Sequence, residues 1–217
     1  MNVAKGVGNK RADLSGRTKS EERNLARIIA LEGADRVGKQ TQTNMLCETL
    51  RSYGKKVKLV EVPVNDHLTY NMIYGMLRNG WAKSWPNLFQ FVQFMNKLLF
   101  QWTQLIWLRL FYDIVILDRW KLSSIVYGDA TGANKTFNRI LYFFLKSPEK
   151  TIVLHGPSFK KASDGDDVYE KDSELQLAVK EGYFYWVEDH IEDHEAVDNQ
   201  GPKELVHERV LMAIGAS

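Results

Sequence analysis

A short apolar run, Arg27-Ile28-Ile29-Ala30-Leu31-Glu32, leads straight into Gly33-Ala34-Asp35-Arg36-Val37-Gly38-Lys39, and a helical pattern opens at Gln40. Strand, glycine-bounded turn and helix form the first half of a strand–helix–strand unit, which commits the chain to a mainly parallel sheet with helices on its faces. The turn fits G-x-x-x-x-G-K, with Gln40 where the pattern asks for Ser or Thr. Glycines let backbone N–H groups curl around a phosphate. The helix start adds partial positive charge and Lys39 a full one. Gly33, Gly38, Lys39, Gln40 and Thr41 are therefore the candidate phosphate-binding residues. A hydroxyl at position 40 would normally help to hold Mg²⁺. With Gln40 there, the expectation is an ion held through water or with help from Thr41.

The rest of the chain repeats the alternation. Gln40 to Tyr53 read as a helix stopped by Gly54, and Lys56 to Val62 as a second strand ended by Pro63. Helices follow at about 67–78 and 87–110, divided by Asn79-Gly80. Asp113-Ile114-Val115-Ile116-Leu117 is a continuous apolar strand suited to a sheet covered on both faces. A helical region spans about 121–145, Thr151 to Leu154 form a fourth strand, and residues 156–168 read as a mobile loop. A helix from Tyr169 to about Glu188, a short strand at Glu195-Ala196-Val197 and a final helix opened by Pro202 complete one α/β domain over 25–217. Residues 1–24 are polar and basic and read as a flexible arm.

Charge narrows the partners. The 217 residues carry 29 basic and 27 acidic side chains, a formal charge of +2, so no whole-surface attraction to nucleic acid or anionic membrane is expected. Any bound anion must be held by a local cluster. The single cysteine, Cys47, excludes an internal disulfide and suits a reducing cytoplasm. Leu98–Leu108 is too short to span a bilayer, and no signal peptide is read at the N-terminus.

The third strand ends in Asp118-Arg119. A carboxylate at the carboxyl end of a buried parallel strand lies where ligands bind in open α/β sheets, so Asp118 is the candidate for Mg²⁺ or its water shell. A hydrolase would place a second acid beside it to steer water. Arg119 suits a second phosphate instead, which favours transfer between two phosphorylated ligands. His190 and His194, four apart among acids, read as a solvated face.

These segments resemble the thymidylate kinase family. Glu32 to Gln42 is similar to its phosphate loop, E-G-x-D-x-x-G-K-[ST]-T-Q, and Asp118 to Tyr127 to its D-R-Y-x-x-S-x-x-[AV]-[YF]. Val168-Tyr169-Glu170-Lys171 and Lys180-Glu181-Gly182-Tyr183 resemble its lid-flanking helix more weakly. The resemblance implies a P-loop kinase fold with a five-stranded sheet and a lid at about 156–170, and ATP with Mg²⁺ passing phosphate to a deoxynucleoside monophosphate, dTMP by preference. Another or modified deoxynucleotide is the nearest alternative; a regulatory module without catalysis is a second. Asp35 would bind the acceptor sugar, Arg36 bridge the phosphates, Lys39 hold the donor, and Asp118 with Arg119 serve metal and acceptor phosphate. Ser124 would lie near the base, and Tyr127 would crowd the 2′ position. Phe91 or Phe94 would stack on the base, and Lys97 would stand for an arginine. The family's acceptor-phosphate arginine after the second strand is missing from Val62-Pro63-Val64-Asn65, leaving Asn65 or His67 as weaker substitutes. Lys160 and Lys161 are candidate phosphate clamps in the lid, and the resemblance implies a homodimer through the apolar helices.

Overall fold

The computed structural model of the chain describes residues 25–65, 68–159, 172–189 and 194–216. The arm at 1–24, His67, Lys160, Lys161, His190 and all of the lid beyond 159 lie outside the described residues.

Strands β1 (Arg27–Glu32), β2 (Val57–Glu61), β3 (Ile114–Asp118), β4 (Lys150–His155) and β5 (His194–Asp198) form one sheet in the order β2-β3-β1-β4-β5. Every neighbouring pair is parallel. Along β1 and β3 the side chains divide cleanly. Ile29, Leu31, Ile114 and Ile116 enter one core; Ile28, Ala30, Val115 and Leu117 enter the other. Both faces are covered, which is why these strands read as unbroken apolar runs.

Helix α1 (Lys39–Ser52) buries Leu46, Cys47 and Leu50 in the first core, beside Val206 and Val210 of the C-terminal helix α9 (Lys203–Ala213). Between β2 and β3 lie α2 (Thr69–Arg78), α3 (Trp81–Ser84), α4 (Pro86–Phe100), a π-helical turn (Gln101–Leu105) and α5 (Ile106–Phe111). Helices α6 (Lys121–Ala130) and α7 (Lys135–Phe143) precede β4, and α8 (Ser173–Asp189) precedes β5. Two long helices expected from sequence are thus interrupted. The one at 87–110 carries the π-helical turn. The one at 121–145 breaks at Gly132, whose φ is +82°, and restarts at Asn134, whose side chain accepts the Phe137 N–H at 2.9 Å. Among the described residues no helix is long and apolar enough to cross a membrane.

The order of the strands places the carboxyl ends of β1 and β3 side by side, with Leu31 opposite Asp118. The phosphate loop and the Asp118-Arg119 pair therefore meet at one edge of the sheet, at the point where the strand order reverses.

Candidate active site

The loop from Gly33 to Gly38 is tightly built. A side chain at Gly33, where φ is +138°, would place a Cβ 2.4 Å from the Leu154 carbonyl oxygen, so only glycine fits. Gly38 caps α1 at φ +88°. Lys39 curls back, and its Nζ donates to the Ala34 carbonyl at 2.9 Å. Burial holds that amine down to about 8, with Arg119 adding to the effect and Asp35, Asp118 and Glu32 opposing it. Buried Asn199 braces the loop: its Nδ2 donates to Val37 O at 3.1 Å and to Pro157 O at 2.9 Å, tying the phosphate loop to the segment after β4. Gln40 and Thr41 are exposed and face the cavity described below.

Arg119 follows β3 in the left-handed region, φ 68°, its N–H donating to Leu31 O at 3.0 Å. This turns the guanidinium toward Asp35, with which it forms a close ion pair. Tyr127 of α6 donates its phenol to the other Asp35 oxygen at 2.7 Å, and Gln176 of α8 donates its Nε2 to the same oxygen at 2.8 Å. Burial pushes the Asp35 carboxyl up, but Arg119, Lys39 and the two hydrogen bonds outweigh it and hold it below its usual range. Glu32 lies beneath this cluster, fully buried. It accepts the Trp120 N–H at 2.8 Å and a close hydrogen bond from Ser123, and burial raises its carboxyl. Sequence reading gave roles to neither Glu32 nor Gln176. A carboxylate ending an apolar strand was a signal for Glu32; Gln176 had none.

Two cavities open on these groups. One of about 880 Å³ holds Arg36, Lys39, Gln40, Thr41, Asp118 and Arg119 and runs along β2 to Tyr70 and Tyr74. The other, of about 250 Å³, is lined by Asp35, Phe89, Gln93, Lys97, Ser124 and Tyr127 among others. Lys97, 2% exposed, donates to Ser124 Oγ at 2.7 Å and to Gln93 Oε1 at 3.1 Å. The expected base-stacking rings are placed elsewhere. Phe94 packs edge-on against Tyr142 in the second core at 6.1 Å between centroids, Phe91 is exposed, and neither lines either of these two cavities. Both belong to the helix that carries Phe89 and Gln93 to the smaller cavity.

The residues present fit Mg²⁺. No group of three or more metal-ligating side chains exists among the described residues, so there is no all-protein cage. Mg²⁺ commonly takes one or two carboxylates, with phosphate oxygens and waters completing its octahedron. Half-buried Asp118, facing the same cavity as Lys39, supplies such a carboxylate.

A parallel sheet whose first strand runs into a glycine-bounded anion loop, with Asp118 at the adjacent strand end and a second ligand cavity beside it, is the fold of a P-loop kinase. Comparison with known proteins agrees. Residues 31–210 match the family model described as thymidylate kinase. Over 138 residues, 61% of this chain and 67% of the relative, the chain is 29% identical to the "Probable thymidylate kinase 1" of Saccharolobus solfataricus. Its fold superposes on the thymidylate kinase of Candida albicans with a TM-score of 0.70, at 23% identity, covering 88% of this chain and 92% of that one. The description of that structure speaks of the origin of its broad substrate specificity. The chain belongs to the thymidylate kinase family. It is a kinase, with the phosphorylation of nucleoside monophosphates as its activity.

Proposed function

We propose that the enzyme transfers the γ-phosphoryl group of ATP to a deoxynucleoside monophosphate, dTMP by preference. The observation that carries this is the Asp35 cluster. One carboxylate joins the phosphate loop to the wall of the smaller cavity, held by Arg119, Tyr127 and Gln176. Donor phosphates lie on the loop with Lys39; the acceptor enters the smaller cavity with its sugar at Asp35 and Tyr127. The Tyr127 ring, 7% exposed, crowds the side of the sugar where ribose carries its extra hydroxyl. Ser124, Lys97 and Gln93 form the polar end that meets the base.

Phosphoryl transfer needs alignment and charge neutralisation more than covalent chemistry. Arg36 and Lys39 face the transferring group from the larger cavity, and Arg119 approaches it from the acceptor side. Mg²⁺, held by Asp118, would neutralise charge on the donor oxygens. Excluding water from the two cavities would direct the phosphoryl group to the acceptor oxygen.

One observation favours a modified base as a second reading. The smaller cavity sets a Gln93–Lys97–Ser124 network beside Phe89, polar groups that a base carrying an added polar substituent would meet. A coupled ADP-release assay over a panel of monophosphates, including 5-substituted deoxyuridylates, separates the two. Turnover of dTMP well below that of a substituted analogue would displace dTMP, and no turnover of any member would remove the kinase reading.

We also propose a homodimer. Trp102, Trp107, Phe111, Phe143 and Phe144 are each more than 60% exposed, and Gln101 ties the π-helical turn to Phe144 O at 3.3 Å, which brings the turn that carries Trp102 beside the end of α7. A second copy covering this apolar surface is expected. Light scattering that gives the mass of one chain at micromolar concentration would refute it.

A further inference from the structure

The two cavities share four lining residues, Val62, Pro63, Tyr74 and Arg119. On the acceptor-kinase reading, on which this inference rests, a nucleotide in the smaller cavity reaches the donor only through that junction. Its phosphate must therefore stop there. A phosphate dianion leaving bulk water needs donors aimed at it.

The junction offers few. Val62 and Pro63 have no side-chain donor, proline has no N–H, and the Val62 N–H is already bonded to Asp118 O at 3.1 Å. Arg119 supplies charge, but its guanidinium is anchored to Asp35 and lies over the Tyr127 ring, 5.4 Å from the centroid. Tyr74 is the other side chain of the four with a donor. Its position is fixed by the fold rather than by chance exposure. Buried Asn96 clamps Val64 in both directions, accepting its N–H at 2.9 Å and donating to its carbonyl at 3.1 Å, and donates to Thr69 Oγ1 at 2.9 Å. The turn after β2 and the first residue of α2 are thereby fastened to α4. Tyr74, further along α2, is half-buried and packs on the Tyr70 ring at 4.5 Å between centroids.

We propose that the Tyr74 phenol donates a hydrogen bond to the phosphate of the acceptor nucleotide. Arg119 then contributes charge at the junction and Tyr74 direction. A neutral donor holds the phosphate without adding a second fixed cation beside Arg119, whose own repulsion already helps to lower Lys39.

The test is a comparison of nucleotide with nucleoside. The full chain and its Tyr74→Phe variant are titrated calorimetrically with dTMP and with thymidine, or with the best acceptor of the panel and its own nucleoside. A hydrogen bond to a charged group is worth about ten-fold or more in affinity. Nucleotide binding is expected to weaken by about that factor, with nucleoside binding unchanged. The Michaelis constant for the acceptor should rise more than kcat falls, and Tyr74→His, which keeps a ring N–H, should recover part of the loss. Equal weakening of nucleotide and nucleoside would assign the phenol to the nucleoside or to packing and overturn the proposal. So would no weakening of either. A parent enzyme that turns over a monophosphate while the phenylalanine variant matches it leaves the kinase reading standing and removes only Tyr74. A parent that binds no monophosphate removes both.

Discussion

Lys97 is a lysine the fold would be more stable without. Its amine is 2% exposed and meets Ser124, Gln93 and, at 5.7 Å, the face of Tyr142. Burial holds it down to about 7, against an ordinary value of 10.5, with Glu32 pulling it up and Arg119 pushing it further down. The folded value lies below the unfolded one. Between about pH 7 and 10.5 the unfolded chain keeps a proton that the folded chain has released, so stability contributed by this group rises with pH. At about 1.4 kcal/mol per unit of displacement, the lysine costs about 4 kcal/mol at pH 7 and about 2 kcal/mol at pH 9. Lys97→Met removes the titration and keeps the length of the side chain. Ser124 and Gln93 still bond each other at 3.1 Å. The variant is expected to be more stable than the parent at pH 7, with the advantage shrinking by about 2 kcal/mol by pH 9. Urea unfolding of both proteins at pH 7, 8 and 9, without nucleotide, reads this directly. A difference that does not change with pH would refute the argument. The chain keeps the lysine, on this view, because the amine faces the acceptor, and the same variant should bind the acceptor more weakly.

Two further outcomes follow from the site. Arg36→Lys keeps the charge and loses the planar fork, so kcat should fall more than either Michaelis constant rises, by up to about 10³-fold; steady-state kinetics in both substrates with unchanged kcat would move the catalytic charge to the lid. Tyr127→Ala should accept ribonucleotide monophosphates better than the parent, and a parent that already phosphorylates UMP as well as dUMP defeats the steric argument before any variant is made.

Much of this arrangement is written locally. The phosphate loop and the Asp118-Arg119 strand end are contiguous motifs whose burial on both sheet faces leaves a plain pattern. Contacts closed by the fold are not written that way. Gln176 reaches Asp35 across 141 positions, and Tyr74 becomes a junction residue only once Asn96 has fastened the turn after β2. Helix α4 was hard to read for another reason. It is packed on several sides, with Phe89, Gln90, Phe94 and Lys97 all buried, so helical spacing alone does not say which ring meets a ligand and which meets the core. The break at Gly132 was legible, since Thr131-Gly132-Ala133-Asn134 carries both a glycine and a capping asparagine, but the apolar pattern on either side ran over it.

The backbone itself marks where this site needs guanidinium groups. Among the described residues two that are not glycine adopt positive φ, Arg36 at 63° and Arg119 at 68°. A side chain there costs about 1–2 kcal/mol relative to the right-handed region. Each is held by a backbone hydrogen bond: Phe159 N–H donates to Arg36 O at 2.7 Å, and Arg119 N–H to Leu31 O at 3.0 Å. Glycine would remove the strain and also remove the charge. In this conformation the Arg119 side chain leaves the alternation of β3 and reaches Asp35, while Arg36 faces the larger cavity. One arginine thus faces the larger cavity and one the junction of the two, with the negative carboxylate of Asp35 fixing the second. On the proposed reading, an acceptor sugar arriving at Asp35 would meet a carboxylate already oriented by three partners, so the ordering would precede substrate binding. The strain is concentrated at the two cations that flank the path of the phosphoryl group, which is where the proposed chemistry needs charge held at fixed positions.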